Sequence, residues 1–254
     1  MGYLGQFGSR VPFIAAAAFT LINLIYGYFI LPESLDKKNR RKFDIKRANP
    51  IGTLMSLKRY PVISGLLICI VLFNIAQHAT HSTWTFFTIE KFDWSEKLVG
   101  YSLGFIGLLA AIVQGGLIRV IIPKLGNIKS VYFGMIFYIL GLSLFAFAEE
   151  EWMVFAFAIP LSLGGISGPA LQGIMTNKIP DDEQGEFQGG MTSLVSLTAI
   201  IGPLLMTNLF SYFTSENSFY YFPGAPFMVG AIISFFGLII AVRFLSGSRG
   251  GSSI

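Results

Sequence analysis

The chain has 254 residues and a net charge of +4; hydrophobic residues make up 53% of it and charged residues only 13%, about half the roughly 25% of soluble domains. Seven windows hold no Asp, Glu, Lys or Arg at all: 11–32, 61–89, 98–118, 130–148, 152–177, 187–215 and 217–242. A hydrocarbon core about 30 Å thick is crossed by about 20 apolar residues in a helix, so each window is long enough to span, and a soluble domain is excluded.

The windows are continuously apolar, without the alternating ten-residue pattern of a β-barrel strand. Because backbone groups in lipid must be satisfied within each segment, the expected fold class is an all-α polytopic membrane protein. The single cysteine, Cys69, lies inside an apolar run and excludes a disulfide scaffold or a Cys-based metal site. The first apolar run has no basic region ahead of it and is too long for the core of a secretory signal.

In chain order, residues 1–10 form a Gly-rich lead-in to a first helix at about 11–31, which Pro32 ends. The stretch 33–60 is the longest loop and is dense in Lys and Arg. It reads either as a solvated linker held near anionic lipid or as a docking segment for a partner. The second helix, from Pro61 to about Trp84, carries His78 and His81 near its far end. Three residues apart, they share a helix face. Two readings stand: hydrated side chains at the headgroup level beside Trp84, or a pair that touches protons or substrate. A metal site is not expected, since no third ligand is evident.

The third helix, about 98–119, opens with Gly100, Gly104 and Gly107, a spacing that lets two helices approach closely. Gln114 is its one strongly polar deep residue, and it serves either an interhelical hydrogen bond or a substrate path. Residues 123–129 read as a tight turn before the fourth helix, 130–148, and Glu149–Glu151 as a solvated acidic loop. The fifth helix, 152–175, contains Pro160, Gly164, Gly165, Gly168, Pro169 and Gly173. Such interruptions are tolerated where neighbours re-satisfy the backbone, often beside transport cavities. The sixth, about 188–213, begins at Gln188 and carries Thr192, Ser193, Ser196, Thr198 and the Gly202-Pro203 pair, which points to neighbouring helices or water. The seventh, 225–245, is almost wholly apolar with Phe227, Phe235 and Phe236, and is expected to face lipid.

The basic residues fix an orientation. Of the 18 Lys and Arg, only Arg10, Lys91 and Lys97 fall on one side of the seven spans, and the rest fall on the other. Cations mark the cytoplasmic side, so the N-terminus is expected outside and the C-terminus inside. The same asymmetry accounts for the positive net charge without nucleic acid as a partner. The sequence holds no phosphate-cradling Gly-rich loop with Lys-Ser/Thr, no H-E-x-x-H and no G-x-S-x-G, so no enzyme is expected.

The block GGISGPALQGIMTNKIPDDEQGEFQGGMTSLVSLTAIIGPLL (164–205) resembles the tenth and eleventh helices of tetracycline efflux proteins, in the drug/proton antiporter branch of the major facilitator superfamily. The segments FDWSEKLVGYSLGFIGLLAAIVQGGL (92–117) and LGQFGSRVPFIAAAAFTLINLIYGYFILPESL (4–35) extend the resemblance to essentially the whole chain. It implies a C-terminal six-helix bundle plus the last helix of the N-terminal half. The corresponding parts are 1–32 (external lead-in and one span), 33–60 (basic central loop), 61–245 (six-helix bundle) and 246–254 (tail). It further implies antibiotic resistance by export of a small molecule such as tetracycline. The resemblance also implies a proton gradient as the drive, no bound cofactor, and a place in the lipid of a bacterial inner membrane.

Because the match begins at helices five and six of twelve, the expectation is a truncated C-terminal portion. The alternatives are a half-transporter that assembles with a separate N-terminal half or with itself, and a remnant that does not transport. Gln114 matches a Gln that the family aims toward the substrate path, and Gln172 and Gln188 are further polar candidates. Where the family carries a membrane His and a membrane Asp, this sequence has Ala110 and, by alignment, Tyr138. On this reading His78 and His81 stand as a relocated proton site. Gly164, Gly165, Gly168, Pro169, Gly202 and Pro203 lie in the matching motif, with Gly100 and Gly104 upstream.

Overall fold

A peptide group in hydrocarbon has no water to bond, and the α-helix satisfies each one inside its own segment. The computed structural model, which describes residues 8, 10–31, 61–216 and 218–247, contains only helices and turns among them. The helices are α1 (Val11–Ile30), α2 (Pro61–His81), α3 (Trp84–Phe92), α4 (Glu96–Ile112) and α5 (Ile118–Ala146), followed by α6 (Glu151–Leu163), α7 (Ser167–Thr176), α8 (Gln184–Thr214) and α9 (Ala225–Gly247). A π-helical turn, Val113–Leu117, joins α4 to α5, and a 3-10 turn, Gly164–Ile166, joins α6 to α7. The loop 33–60 and most of the lead-in and tail lie outside the described residues.

Among the described residues, six helical stretches are long and apolar enough to cross a membrane. One of them, Glu96–Ala146, has 51 residues, too many for a single crossing at about 1.5 Å each. Gly126 breaks it with φ 75° and ψ 161°, a conformation that costs a residue without a Cβ very little. The stretch is therefore two consecutive spans that turn within 123–129, as expected, giving seven spans among the described residues. The fifth expected helix is likewise interrupted, by the 3-10 turn at Gly164–Ile166.

The core forms where α9 packs on α2 and α5, with α2 against α8 and α5 against α6 and α7. One cluster, at the acidic end, gathers Phe73, Trp84, Phe87, Leu142, Phe145 and Phe227. The other, at the basic end, gathers Leu66, Met135, Leu171, Met175, Phe187 and Leu245. The expectation that the seventh span faces lipid fails at Phe227, which is fully buried, its ring 4.8 Å from that of Phe87. Phe235 and Phe236 on the same helix do stay exposed. A uniformly apolar helix carries no sidedness, since a Phe satisfies lipid and protein equally. In α1 the apolar side chains from Phe13 to Leu31 are largely exposed.

The crossing of α5 with α6 and α7 is set by missing side chains. A Cβ on Gly164 would stand 2.6 Å from Tyr138 Cβ, one on Gly141 2.7 Å from Leu161 Cα, and one on Gly134 2.6 Å from the Ser167 backbone nitrogen. The three glycines let the backbones approach closely, the usual means of gaining dispersion contact between membrane helices. At the acidic end, Ser95 caps α4 by accepting from the Leu98 N–H. Asp93 closes α3 in the left-handed conformation. Tyr221 Oη donates to Glu90 Oε1 at 3.0 Å, tying the loop before α9 to α3. Burial first, then the bond to Glu90 and its charge, raise the Tyr221 phenol above its ordinary pKa.

Two outcomes follow from this packing. Gly164→Leu should destabilise the bundle by about 1–3 kcal/mol, the usual penalty of overpacking, seen as a lower melting temperature in detergent. Gly107→Leu, with nothing within 4 Å of its Cβ position, should stay within ~0.5 kcal/mol, and equal melting temperatures for the two would contradict the close crossing. The raised Tyr221 pKa means that its contribution to stability is complete below the unfolded value, about 10, and is lost as pH rises through the folded one. Spectrophotometric titration of wild type against Tyr221→Phe should show that phenol ionising late, and Glu90→Gln should bring it down.

Candidate functional site

A cavity of about 450 Å³ opens where α2, α3, α4, α5 and α6 converge near mid-bundle. From α2 come Phe73, Gln77, Thr80 and His81, at a helical spacing that puts all four on one face. Trp84 and Thr85 of α3 close the acidic end, and Leu103, Ile106 and Ala110 of α4 form the apolar side. Gln114 enters from the π-helical turn, Tyr138 from α5, and Leu161, Ser162 and Gly165 from α6 and the 3-10 turn. Two of the chain's irregular helical turns therefore border this one cavity. Single π turns inside α-helices concentrate at functional sites, and irregular backbone at membrane depth is tolerated where it lines a cavity.

The wall is mixed, apolar over the larger part and polar at Gln77, Thr80, His81, Gln114 and Ser162, and among the described residues no Asp, Glu, Lys or Arg lines it. Thr80 Oγ1 donates to the Gln77 carbonyl at 2.9 Å, and Trp84 Nε1 donates to Ser102 Oγ at 3.0 Å, fixing the indole against α4. Tyr138 is 5% exposed, and its hydroxyl has no hydrogen bond of regular geometry among the described residues. Its ring leans on Phe73 at 4.7 Å between centroids. The close approach of Gly164 holds that ring in place. Among the lining groups His81 is the one whose ordinary pKa lies near neutrality.

The structure separates the two histidines that the sequence pairs. Their ring centroids are 6.3 Å apart and nearly perpendicular. His81 lines the cavity, while His78 turns toward α8, its ring over Gly202 so closely that a Cβ there would collide with it. Ser82 Oγ lies 3.4 Å from His78 Nδ1. Gln114 and His81 are brought together with Gly165, Ala110 and Tyr138. Gln172 and Gln188 are not: Gln172 Nε2 donates to Gln188 Oε1 at 3.4 Å between exposed stretches of α7 and α8 at the basic end. Pro169 sits in the first turn of α7, where a proline N–H is not missed. Pro203 lies inside α8, its carbonyl accepting from Thr207 Oγ1 at 2.7 Å. Gly100, Gly104 and Gly168 have nothing within 4 Å of a Cβ position, so among the described residues they face open space.

Sequence reasoning passed over Gln77, Thr80 and Ser162. The periodicity from His81 back to Gln77 and Phe73 was the signal available for the first of these. Thr80 lies on the same face, one residue before His81, and was open to the same periodicity; Ser162 is one hydroxyl in a span of many small residues.

A family model described as Major Facilitator Superfamily matches residues 1–149. The chain is 32% identical to tetracycline resistance protein, class C, of Escherichia coli over 232 residues, which is 91% of this chain and 57% of that protein. To the class E protein of the same species it is 34% identical over 211 residues, 83% of this chain and 52% of the relative. Hippocampus abundant transcript 1 protein of Mus musculus is 24% identical over 269 aligned residues, covering 94% of this chain and 54% of its own length. The chain thus spans about half the length of the curated relatives it matches.

The cavity can be checked chemically. Cys69, the sole cysteine, is buried, so the native protein should resist a water-soluble maleimide. In a Cys69→Ala background, Ala110→Cys should label readily and Met135→Cys, in the closed core, should not. Labelling at the same rate at both positions would show that no open cavity reaches Ala110.

Proposed function

Because the chain belongs to the major facilitator superfamily, we propose that it supplies one wall of a transport pathway whose substrate sits in the cavity around His81, Gln114 and Tyr138. The observation that carries this reading is the uncharged cavity, largely apolar with a few convergent polar groups, bordered by the π turn and the 3-10 turn. In transporters of this build, two bundles rock about a site near the bilayer midplane so that it faces each side in turn. The helices described here make one bundle and one further span; the opposite wall comes from helices outside this chain, either a preceding part of a longer polypeptide or a separate one. The domain division into 1–32, 33–60, 61–245 and 246–254 follows from that assignment.

The substrate class is a small, neutral or zwitterionic aromatic drug such as tetracycline, in keeping with the names of the bacterial relatives. Phe73, Trp84 and the Tyr138 ring offer flat apolar faces, and Gln77, Gln114 and the Tyr138 hydroxyl offer hydrogen bonds that a fixed charge would bias. His81, the one imidazole on the cavity wall, takes the proton that is exchanged for drug. His78 serves as a packing contact between α2 and α8. The basic end lies in the cytoplasm, in a cell membrane that is the bacterial inner membrane if the source is that of the tetracycline resistance relatives.

Inverted membrane vesicles test both parts of this proposal. Vesicles holding this chain alone should show no tetracycline uptake when their interior is acidified, and proton-driven uptake by the chain alone would refute the one-wall reading. In a full-length assembly, His81→Ala should abolish proton-driven uptake while His78→Ala keeps most of it. Equal losses, or none, would remove His81 from its proposed role.

A further inference from the structure

At the basic end of the bundle, well apart from the central cavity, a second hollow of about 550 Å³ lies between the break in α5 around Gly126, the end of α7 and the end of α9. We propose that it binds the phosphate-bearing headgroup of an anionic phospholipid. Its walls differ in kind. Leu125, Ile128, Ile174 and Leu245 make an apolar side, and Ile174 and Leu245 are themselves buried. Lys129, Lys178 and the amides of Asn127 and Asn177 make the other side. The two lysines come from positions 49 apart in the sequence and meet only because the chain turns at Gly126. Asn127 lies over Gly173, its amide within van der Waals contact of the position a Cβ would take there, 3.6 Å away.

An anion with an acyl chain fits both sides of this hollow, whereas free phosphate fits one. Basic pockets between spans on the cytoplasmic side take anionic headgroups in this way, each cation adding attraction at the surface. The acidic turn Asp181–Glu183 follows Lys178 in sequence, yet none of its residues lines the hollow. The proposal needs neither a substrate nor a second bundle, so it stands or falls apart from the transport reading.

The test uses the whole chain, purified in detergent, stripped of lipid and offered phosphatidylglycerol or phosphatidylcholine, with retained lipid read by native mass spectrometry. Phosphatidylglycerol should be retained in preference. Lys129→Gln with Lys178→Gln should weaken that retention about 25-fold, at about fivefold per cation, and the Arg pair at the same positions should restore it. Both lysines are exposed, so the fold should be kept, as an unchanged melting temperature would verify. Arg119→Gln with Lys124→Gln removes as much charge nearby without touching the hollow and should change retention less than about threefold. Equal weakening by the two pairs would mean diffuse attraction and overturn the proposal, as would no weakening. Displacement of the lipid by millimolar inorganic phosphate would assign the hollow to a free phosphate and overturn it too.

Discussion

Peptide groups surrounded by hydrocarbon must bond within their own helix, and every irregular turn in this bundle occurs where that requirement is lifted. The π turn at Val113–Leu117 and the 3-10 turn at Gly164–Ile166 both border the polar cavity. The break at Gly126 falls at the basic end between two spans. Backbone groups freed from the α-helical ladder need another partner, and a hydrated cavity or a membrane surface provides one. The cavity and the irregular turns are two aspects of one arrangement: the turns bring Gln114 and Gly165 inward, and the polar space makes the turns affordable. The glycine contacts between α5 and α6 complete it by fixing the Tyr138 ring beside Phe73.

The spans were legible in the sequence because a charge-free window of about 20 residues has few alternatives at membrane depth. The break at Gly126 and the interrupted span at Gly164 were legible for a related reason, since Gly and Pro in an apolar run disturb the helix wherever it points. Lateral packing was not. Water supplies no contrast inside a bilayer, so Phe227 and Phe235 look alike in sequence although one is buried against Phe87 and the other faces outward. Gly134 and Gly141 stood in a span with no other unusual residue, and their role depends on which helix crosses them. His78 and His81 share a face by spacing, yet the bundle gives one to α8 and the other to the cavity. Gln114 stood out on two grounds, its polarity at depth and its match to the family's Gln; Gln172 and Gln188 had polarity alone and bond each other away from the cavity.

The relatives are about twice as long as the aligned region, and this puts the exposure of particular faces in context. Gly100, Gly104 and Gly107 on α4, and the apolar residues Ile200, Ile201 and Leu204 on α8, lie open in this chain. In a protein with a second bundle these are the surfaces free to meet it. Residues that face the cavity from α2 and α5 are instead held by contacts made wholly within the described helices. The site's polar wall is accordingly set by this chain.

The indole of Trp84 has a consequence of its own. It stands on the cavity wall with its ring nitrogen tethered to Ser102 and its ring steeply inclined to that of Phe145, 5.2 Å between centroids. An indole in such surroundings emits light whose colour and intensity follow the polarity beside it, so this side chain is a built-in optical gauge of whether the cavity holds water or a guest. The other two tryptophans, Trp94 and Trp152, do not line that space, which leaves the signal traceable to a single ring.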